Sequence, residues 1–554
     1  MVDKKVDLSN PAEIIQRIED KFLNTEFNDL FQRMEEDYSV WNMETSPSNK
    51  TSYDSDIREK TKEYGGELVI ISNDLRAFSD SVQSTLSSAE MQIKVGIVDP
   101  EGKDTRHEEG KLERTLEYAF KKADERLSRL LQPTLREASD WHACVRGWRA
   151  GRFLVYTYNG NVIFDFTAPD PRWLVYEVGD DDIVEVGYKF YRNGASLMAQ
   201  YGIETGKKFN NECYDYWIKL DDGVYGNVTV TGDKIMGKQR KIKAPMMPWV
   251  IKPVAIRPPI SDAAGIKLKG FGESLFAASR DINAARNRFV SVVANHAALL
   301  AQQGLINYYS PQGIKEMKDF YNTPGGVLNL PKGENEIVPS PLQEISQTVV
   351  GMVSWFDKQI EQVTLPRIPI GTPAPSGTLF NLAQEAGNKV FNPQLRNLNM
   401  FFADACRLIE AQLINGGIKL EFQDRNRQTG KYYQVKVSPV DLKKEHTIEV
   451  NFTAKTPYRQ LITAQVADML ERAGVPQRWI WENIYMFPDP ALLEDLAALE
   501  LYEHSPEGAM AKVVDVLMRY DKKFEAQKLV GQMDMMQPQQ SPQETAVAEG
   551  QAYG

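Results

Sequence analysis

A reaction in this chain would need a phosphate cradle, a metal cluster or an activated nucleophile. The segment Gly202-Ile203-Glu204-Thr205-Gly206-Lys207-Lys208 comes nearest to a phosphate-binding loop. It has three residues between its glycines where that loop needs four, and Lys208 stands where a Ser or Thr would hold magnesium. It reads instead as a turn between strands. The five histidines, His107, His142, His296, His446 and His504, form no HxH or HxxxH pair, so their spacing offers no metal site. His296 lies in an apolar stretch and reads as a packed core or interface residue. Asp180-Asp181-Asp182 could attract a divalent cation, but beside Gly179 it reads as a solvated turn. Trp141-His142-Ala143-Cys144-Val145-Arg146-Gly147-Trp148-Arg149 mixes rings and cations that could stack on nucleic acid. At a helix–strand junction the two tryptophans read as core. No G-x-S-x-G elbow occurs. These residues predict a protein that is not an enzyme and holds no cofactor or metal.

The bulk properties narrow the class. The chain has 554 residues, 42% hydrophobic and 25% charged, which suits several globular domains or one elongated subunit. Its net charge of −11 opposes tight nucleic-acid binding through phosphate neutralisation, but would let a polyanion pass without sticking. Cys144, Cys213 and Cys406 are far apart and fit a reducing compartment rather than a disulfide framework. The N-terminal residues lack the apolar core of a secretory signal, and the longest uncharged run, Phe289 to Ile314, is too polar to span a membrane. The expectation is a protein made in the cytoplasm.

The elements follow from periodicity. Asn10 as cap, Pro11 at the first helical position and Glu13 at the third open a helix to about Val40. Further helical spacing covers about 67–90 and 108–138, with a turn around IKVGIVDPEGKD between them. Period two then takes over. Phe153 to Tyr158, a turn at Asn159-Gly160-Asn161, and Val162 to Phe166 form a hairpin, and strand-like runs continue to about Ile256. Small, weakly charged residues predict one helix from Gly270 to Gln303, followed by a mixed segment with a short strand, VLNL. Two strand-like runs, KYYQVKVSPV and HTIEVNF, precede a helical C-terminal region that opens at Thr456-Pro457 and ends near Met533. The polar, Gln-rich residues beyond predict disorder. The fold class is α+β, mainly helical.

Between two long helical patterns, Leu342 to Thr364 and Thr378 to Leu413, lies Leu365-Pro366-Arg367-Ile368-Pro369-Ile370-Gly371-Thr372-Pro373-Ala374-Pro375-Ser376-Gly377. Four prolines in ten residues cannot continue a helix, because each lacks an N–H and its ring clashes with the preceding turn. The second helix carries Gly387 and Pro393, which predict a kink near Asn392.

The order of these parts resembles the portal, or head-to-tail connector, proteins of tailed bacteriophages over nearly the whole chain. Three local matches carry the resemblance. Gly270-Phe271-Gly272-Glu273-Ser274-Leu275 followed by Arg280-Asp281-Ile282-Asn283 is similar to the entry to the portal stem. Pro375-Ser376-Gly377-Thr378-Leu379 is similar to the end of the tunnel loop, and Phe166 to Trp173 to the Asp-Pro turn of the wing. The resemblance implies a wing over 1–255, an entry and first stem helix over 256–303 and a clip over 304–341. It further implies a second stem helix over 342–364, a tunnel loop over 365–377, a kinked wing helix and β pair over 378–455, a crown over 456–532 and a tail over 533–554.

It also implies functional residues. Pro366, Arg367, Pro369, Gly371, Thr372, Pro373, Pro375, Ser376 and Gly377 would line the DNA channel, with Arg367 touching the DNA backbone or pairing with a neighbouring subunit. Ser274, Arg280, Asp281, Arg286, Arg288 and His296 would pack the stem between subunits. Tyr308, Tyr309, Pro324, Gly325 and Gly326 of the clip would meet an adaptor. The implied protein is a homo-oligomeric ring, usually a dodecamer, at one capsid vertex of the virion. Its partners would be the major capsid protein, the terminase motor, tail or adaptor proteins, and double-stranded DNA passing loosely through the channel. An oligomeric virion or tail scaffold without a DNA channel is the alternative.

Overall fold

The computed structural model describes residues 6–43, 70–97, 106–206, 208–254, 260–262, 265–268, 270–301, 305–309, 327–331, 336–339, 347–363, 377–425, 432–443, 445–453, 466–485 and 513–514. It is an α+β protein that divides into two units, Met1–Lys455 and Thr456–Gly554.

The first unit opens with α1 (Pro11–Leu23) and α2 (Thr25–Trp41). The sequence predicts a single helix here, but the chain breaks at Asn24. Its backbone is extended and its side chain accepts from the Glu26 N–H, a local bond that competes with helix continuation. Asn10 sits at the expected cap position without a side-chain capping bond. Next come α3 (Asp74–Ser88) and β1 (Glu90–Ile97), a strand where a turn is expected. The predicted 108–138 helix is also two: α4 (Arg106–Arg129) and α5 (Leu135–Arg146). Thr134 and Glu137 close a reciprocal capping box that starts α5 afresh.

The β-rich region matches its pattern closely. β2 (Trp148–Tyr158) and β3 (Asn161–Thr167) form the expected hairpin. Its two-residue turn has positive φ at both Asn159 and Gly160, as a type I′ turn requires. Asp170 then caps a 3-10 turn at Pro171–Trp173. β4 (Leu174–Val178), β5 (Ile183–Arg192), α6 (Gly194–Tyr201), β6 (Asn211–Asp221), β7 (Val224–Thr231), β8 (Lys234–Ile235) and β9 (Arg240–Lys243) follow. The strands run β4-β5-β6-β7 in antiparallel order, and β8 and β9 share the outer edge of β7. β10 (Trp249–Pro253) adds to β2, giving the sheet β10-β2-β3. β11 (Ile260–Asp262) and β12 (Gly265–Lys267) form a short hairpin.

Helix α7 is Arg280–Ala301, ten residues shorter at its start than the sequence pattern predicts. β13 (Leu305–Tyr309), β14 (Val327–Pro331) and β15 (Glu336–Pro339) form a three-stranded sheet with β13 central, parallel to β14 and antiparallel to β15. α8 (Gln347–Val363) and α9 (Gly377–Asn415) come next. α9 runs unbroken through Pro393, whose missing N–H leaves the Lys389 carbonyl without its helical donor. β16 (Leu420–Arg425), β17 (Tyr432–Val437) and β18 (His446–Thr453) complete the unit. The two C-terminal strands read as a pair do not pair with each other. β17 pairs with β16, and β18 pairs with β1. The second unit is described at α10 (466–472), α11 (Gln477–Asn483) and residues 513–514, so most of the expected crown and the 533–554 tail lie outside the described residues.

The two largest apolar cores among the described residues of the first unit hold its sheets and helices together. The C-terminal half of α9 is the beam of the larger one. Phe401, Phe402, Leu408 and Leu413 pack against Leu116 and Phe120 of α4, Phe153 and Phe166 of the hairpin, and Phe452 of β18. Buried amides lock this beam to the sheet: Gln412 accepts from the Val155 N–H at 2.9 Å and donates to the Phe153 carbonyl at 2.8 Å, and Asn397 donates to the Pro253 carbonyl at 2.7 Å. Each satisfies backbone groups that would otherwise be buried unpaired. The second core presses Ile14, Ile18, Phe27 and Phe31 of α1 and α2 onto Val175, Tyr216 and Val228 of the larger sheet.

Candidate functional site

The sequence-flagged residues Ser274, Arg280 and Arg286 converge where α7 leaves the body. The chain reaches that point along a scaffold that leaves it little freedom. Gly147 ends α5 at φ 77, and backbone atoms of 272–274 lie so close that a Cβ there would come within 2.6 Å of the Glu273 carbonyl carbon. Glycine is required on both counts. The Glu273 N–H donates to the Val254 carbonyl at 3.1 Å, the Leu275 N–H to that of Cys144 at 2.9 Å, and the Trp148 indole to that of Phe271 at 2.9 Å. Ser274 Oγ accepts from the Phe276 N–H at 3.1 Å. These bonds to other segments hold 271–279 out of the helix that its composition favours.

Arg280, the first residue of α7, meets Asp37 of α2 as a two-pronged pair, Nε to Oδ1 at 2.7 Å and Nη2 to Oδ2 at 3.0 Å. Asp37 is fully buried, with Arg33 beside it. Burial pushes its carboxyl up from the ordinary value, against the opposing pull of Arg280. One turn and a half further on, Arg286 bridges two elements: Nε reaches Asp357 of α8 at 2.6 Å and Nη1 reaches Asp74 of α3 at 3.4 Å. The Asn287 side chain accepts from the Ser72 N–H at 3.1 Å, and Ser291 Oγ from the Ile70 N–H at 2.9 Å. Beneath these polar ties, Leu75, Val145, Phe276 and Ile360 are buried together with Ile282 packed on them. The α7–α8 pair is therefore rooted in α2, α3 and α5 by buried charge and apolar contact at once.

Beyond the root, α7 and α8 face each other through Phe289 and Phe356, 6.0 Å between ring centres. Val292, Met352 and Trp355 of this pair stay 51%, 44% and 52% exposed. Asp281 and Arg288 are also exposed, and His296 is half-buried farther along α7. Tyr308 and Tyr309 belong to β13. Pro324, Gly325 and Gly326 lie outside the described residues, as do Pro366, Arg367, Pro369, Gly371, Thr372, Pro373, Pro375 and Ser376. Gly377 is the first residue of α9. Asp37, Asp74 and Asp357, the carboxylates that hold the root, carry no local sequence signal. Arg280 and its partner Asp37 are 243 positions apart.

The residues read for chemistry fall mostly where expected. Trp148 is buried, and Trp141 packs edge-on against Trp41 at 5.2 Å, so both rings serve packing. Asp180 to Asp182 make the β4–β5 turn, and Asp182 accepts from the Tyr225 hydroxyl at 2.7 Å and the Met247 N–H at 2.8 Å. The Gly202 segment joins a helix to a strand rather than two strands, with Gly202 capping α6 at φ 67. Among the described residues no group of His, Cys, Asp and Glu could hold a metal ion, and no helix is long and apolar enough to cross a membrane. Cys144, Cys213 and Cys406 are all free and buried.

No protein-family model matches the chain, and no curated protein does. Among solved structures it is similar to a chain of the neck of a native GTA particle computed with C12 symmetry. The identity is 12% and the TM-score 0.27, over 76% of this chain and 95% of that one, a likeness too slight to bear on fold or function.

Proposed function

We propose that this protein is a non-enzymatic portal-type ring subunit of a tailed bacteriophage, sited at one capsid vertex, through which DNA is packaged and later released. The observation that carries the reading is the α7–α8 pair. It is anchored firmly at one end, yet carries exposed Val292, Met352 and Trp355 farther along its length. Contiguous apolar surface calls for cover, and Met352 and Trp355 lie three residues apart, on one face of α8. Neighbouring copies in a head-to-tail ring supply that cover on both sides of each subunit when the rotation closes. α7 and α8 then serve as the stem, the β13–β15 sheet as the clip that meets tail or adaptor proteins, and the 365–377 segment as the tunnel loop. The net charge of −11 suits a channel wall that does not hold phosphates. The terminase motor and major capsid protein are the further partners of such a ring.

Native mass spectrometry and negative-stain imaging of the purified chain test the reading. The expected result is an annular particle with a central pore. A monomer or dimer at every concentration and salt condition overturns it, and a closed oligomer without a pore favours a scaffold with no DNA channel.

A further inference from the structure

A local charge anomaly lies on the outer edge of the six-stranded sheet. Residues 232–243, GDKIMGKQRKIK, contain five cations and a single carboxylate in a chain whose net charge is −11. β8 and β9 lay these residues side by side along β7, from Thr231 opposite Lys234 to Val224 opposite Lys243. At the rise of a β-strand that edge is about 24 Å long. Lys234, Lys238, Arg240, Lys241 and Lys243 are all exposed along it. Lys238, Lys241 and Lys243 have no ion-pair or hydrogen-bond partner for their side chains among the described residues.

The ribbon is held in shape from below. The Met236 N–H donates to the Thr229 carbonyl at 2.7 Å, Gln239 donates to the Leu8 carbonyl at 2.9 Å, and Asn415 donates to the Lys243 carbonyl at 3.1 Å. Its apolar members, Ile235, Met236 and Ile242, are buried or half-buried, so its exposed side chains are cationic apart from Gln239 and, at one end, Asp233, with Asp221 and Asp222 exposed in the turn beside the other end. The Arg240 guanidinium lies 5.0 Å over the Tyr156 ring. Tyr158, two residues along the same strand and so on the same face, is 64% exposed.

Lysines on an edge strand also discourage unwanted strand pairing. That role accounts for Lys241 and Lys243 but not for Lys238, which lies in the connection outside β9. A protein partner would need an apolar centre to the patch, which this surface lacks. A phosphate backbone needs only a line of cations. We infer that the β8–β9 ribbon binds the phosphate backbone of nucleic acid, weakly and without sequence preference. The inference does not depend on the ring or on the 365–377 segment.

Fluorescence anisotropy of the full chain with a labelled duplex DNA tests it. Contacts from Lys238, Arg240, Lys241 and Lys243 give a slope of log affinity against log salt of about −3 to −4. The pair Lys241→Glu/Lys243→Glu is expected to weaken binding at least about tenfold at low salt, and the neutral pair Lys241→Gln/Lys243→Gln to weaken it less. The control pair Lys121→Glu/Lys419→Glu makes the same charge change at exposed positions elsewhere and is expected to leave affinity within about twofold. Equal losses in both Glu pairs would assign the effect to net charge and overturn the site. So would absence of wild-type binding at low salt, displacement of the duplex by poly-glutamate at matched charge, or loss of binding in Arg367→Ala.

Discussion

His142 on α5 shows what a single residue type can conceal. Its Nδ1 lies 3.9 Å from Asp170 Oδ1 and has no hydrogen-bond partner. Burial pushes the imidazole below its ordinary value of 6.5, and Asp170 opposes the shift without reversing it. The folded protein therefore resists a proton that the unfolded chain accepts. As pH falls below about 6.5, the unfolded state binds more protons and stability declines, by at most about 1.4 kcal/mol per pH unit for one group. Urea unfolding at pH 7.5 and 5.5 checks this: the wild type should lose stability on acidification and His142→Gln should lose measurably less. An equal loss in both proteins would place the titration elsewhere. The sequence marked His142 beside two tryptophans but not its burial, which depends on Asp170 and the 3-10 turn folding back over α5.

At the scale of elements, two glycines with the same backbone twist make a contrast. Gly160 has φ 78 and open space within 4 Å of where a Cβ would stand, whereas Gly147 at φ 77 has the backbone of 272–274 within 3 Å. Gly160→Ala should cost about 1–2 kcal/mol, the strain of a left-handed residue alone. Gly147→Ala adds a collision with immobile backbone, so its loss of thermal stability should be at least twice as large. Similar losses would mean that the entry to α7 yields easily. The Asn159-Gly160 turn was legible because its chemistry is local. The Thr134-x-x-Glu137 box that separates α4 from α5 is just as local, but continuous apolar spacing hid it and the two helices read as one. β1 was not legible: its eight residues end close to Asp99-Pro100, and the partner that makes them a strand is β18. The start of α7 was hidden for the same reason, since bonds to the Cys144 and Val254 carbonyls override a helical composition.

For the whole molecule, the proposed ring gives the 365–377 segment a separable job. Deleting Pro369 to Pro375 should leave annular particles intact under negative stain while DNA packaging or retention fails. Loss of the ring itself would make the segment an assembly contact instead. The order of helical and β-rich parts could be read from periodicity alone, but which strands meet could not, because pairing is settled by distant chain. β1 and β18 are the extreme instance, antiparallel partners separated by about 350 residues from Ile97 to His446. On a ribosome adding 5–20 residues per second, β1 emerges roughly 20–70 s before its partner exists. Through that interval its buried-to-be face, Ile93 and Val95, stays uncovered by β18. Nascent chains should therefore rely on chaperone shelter over this window, and closure of the body around β1 must await the synthesis of β18.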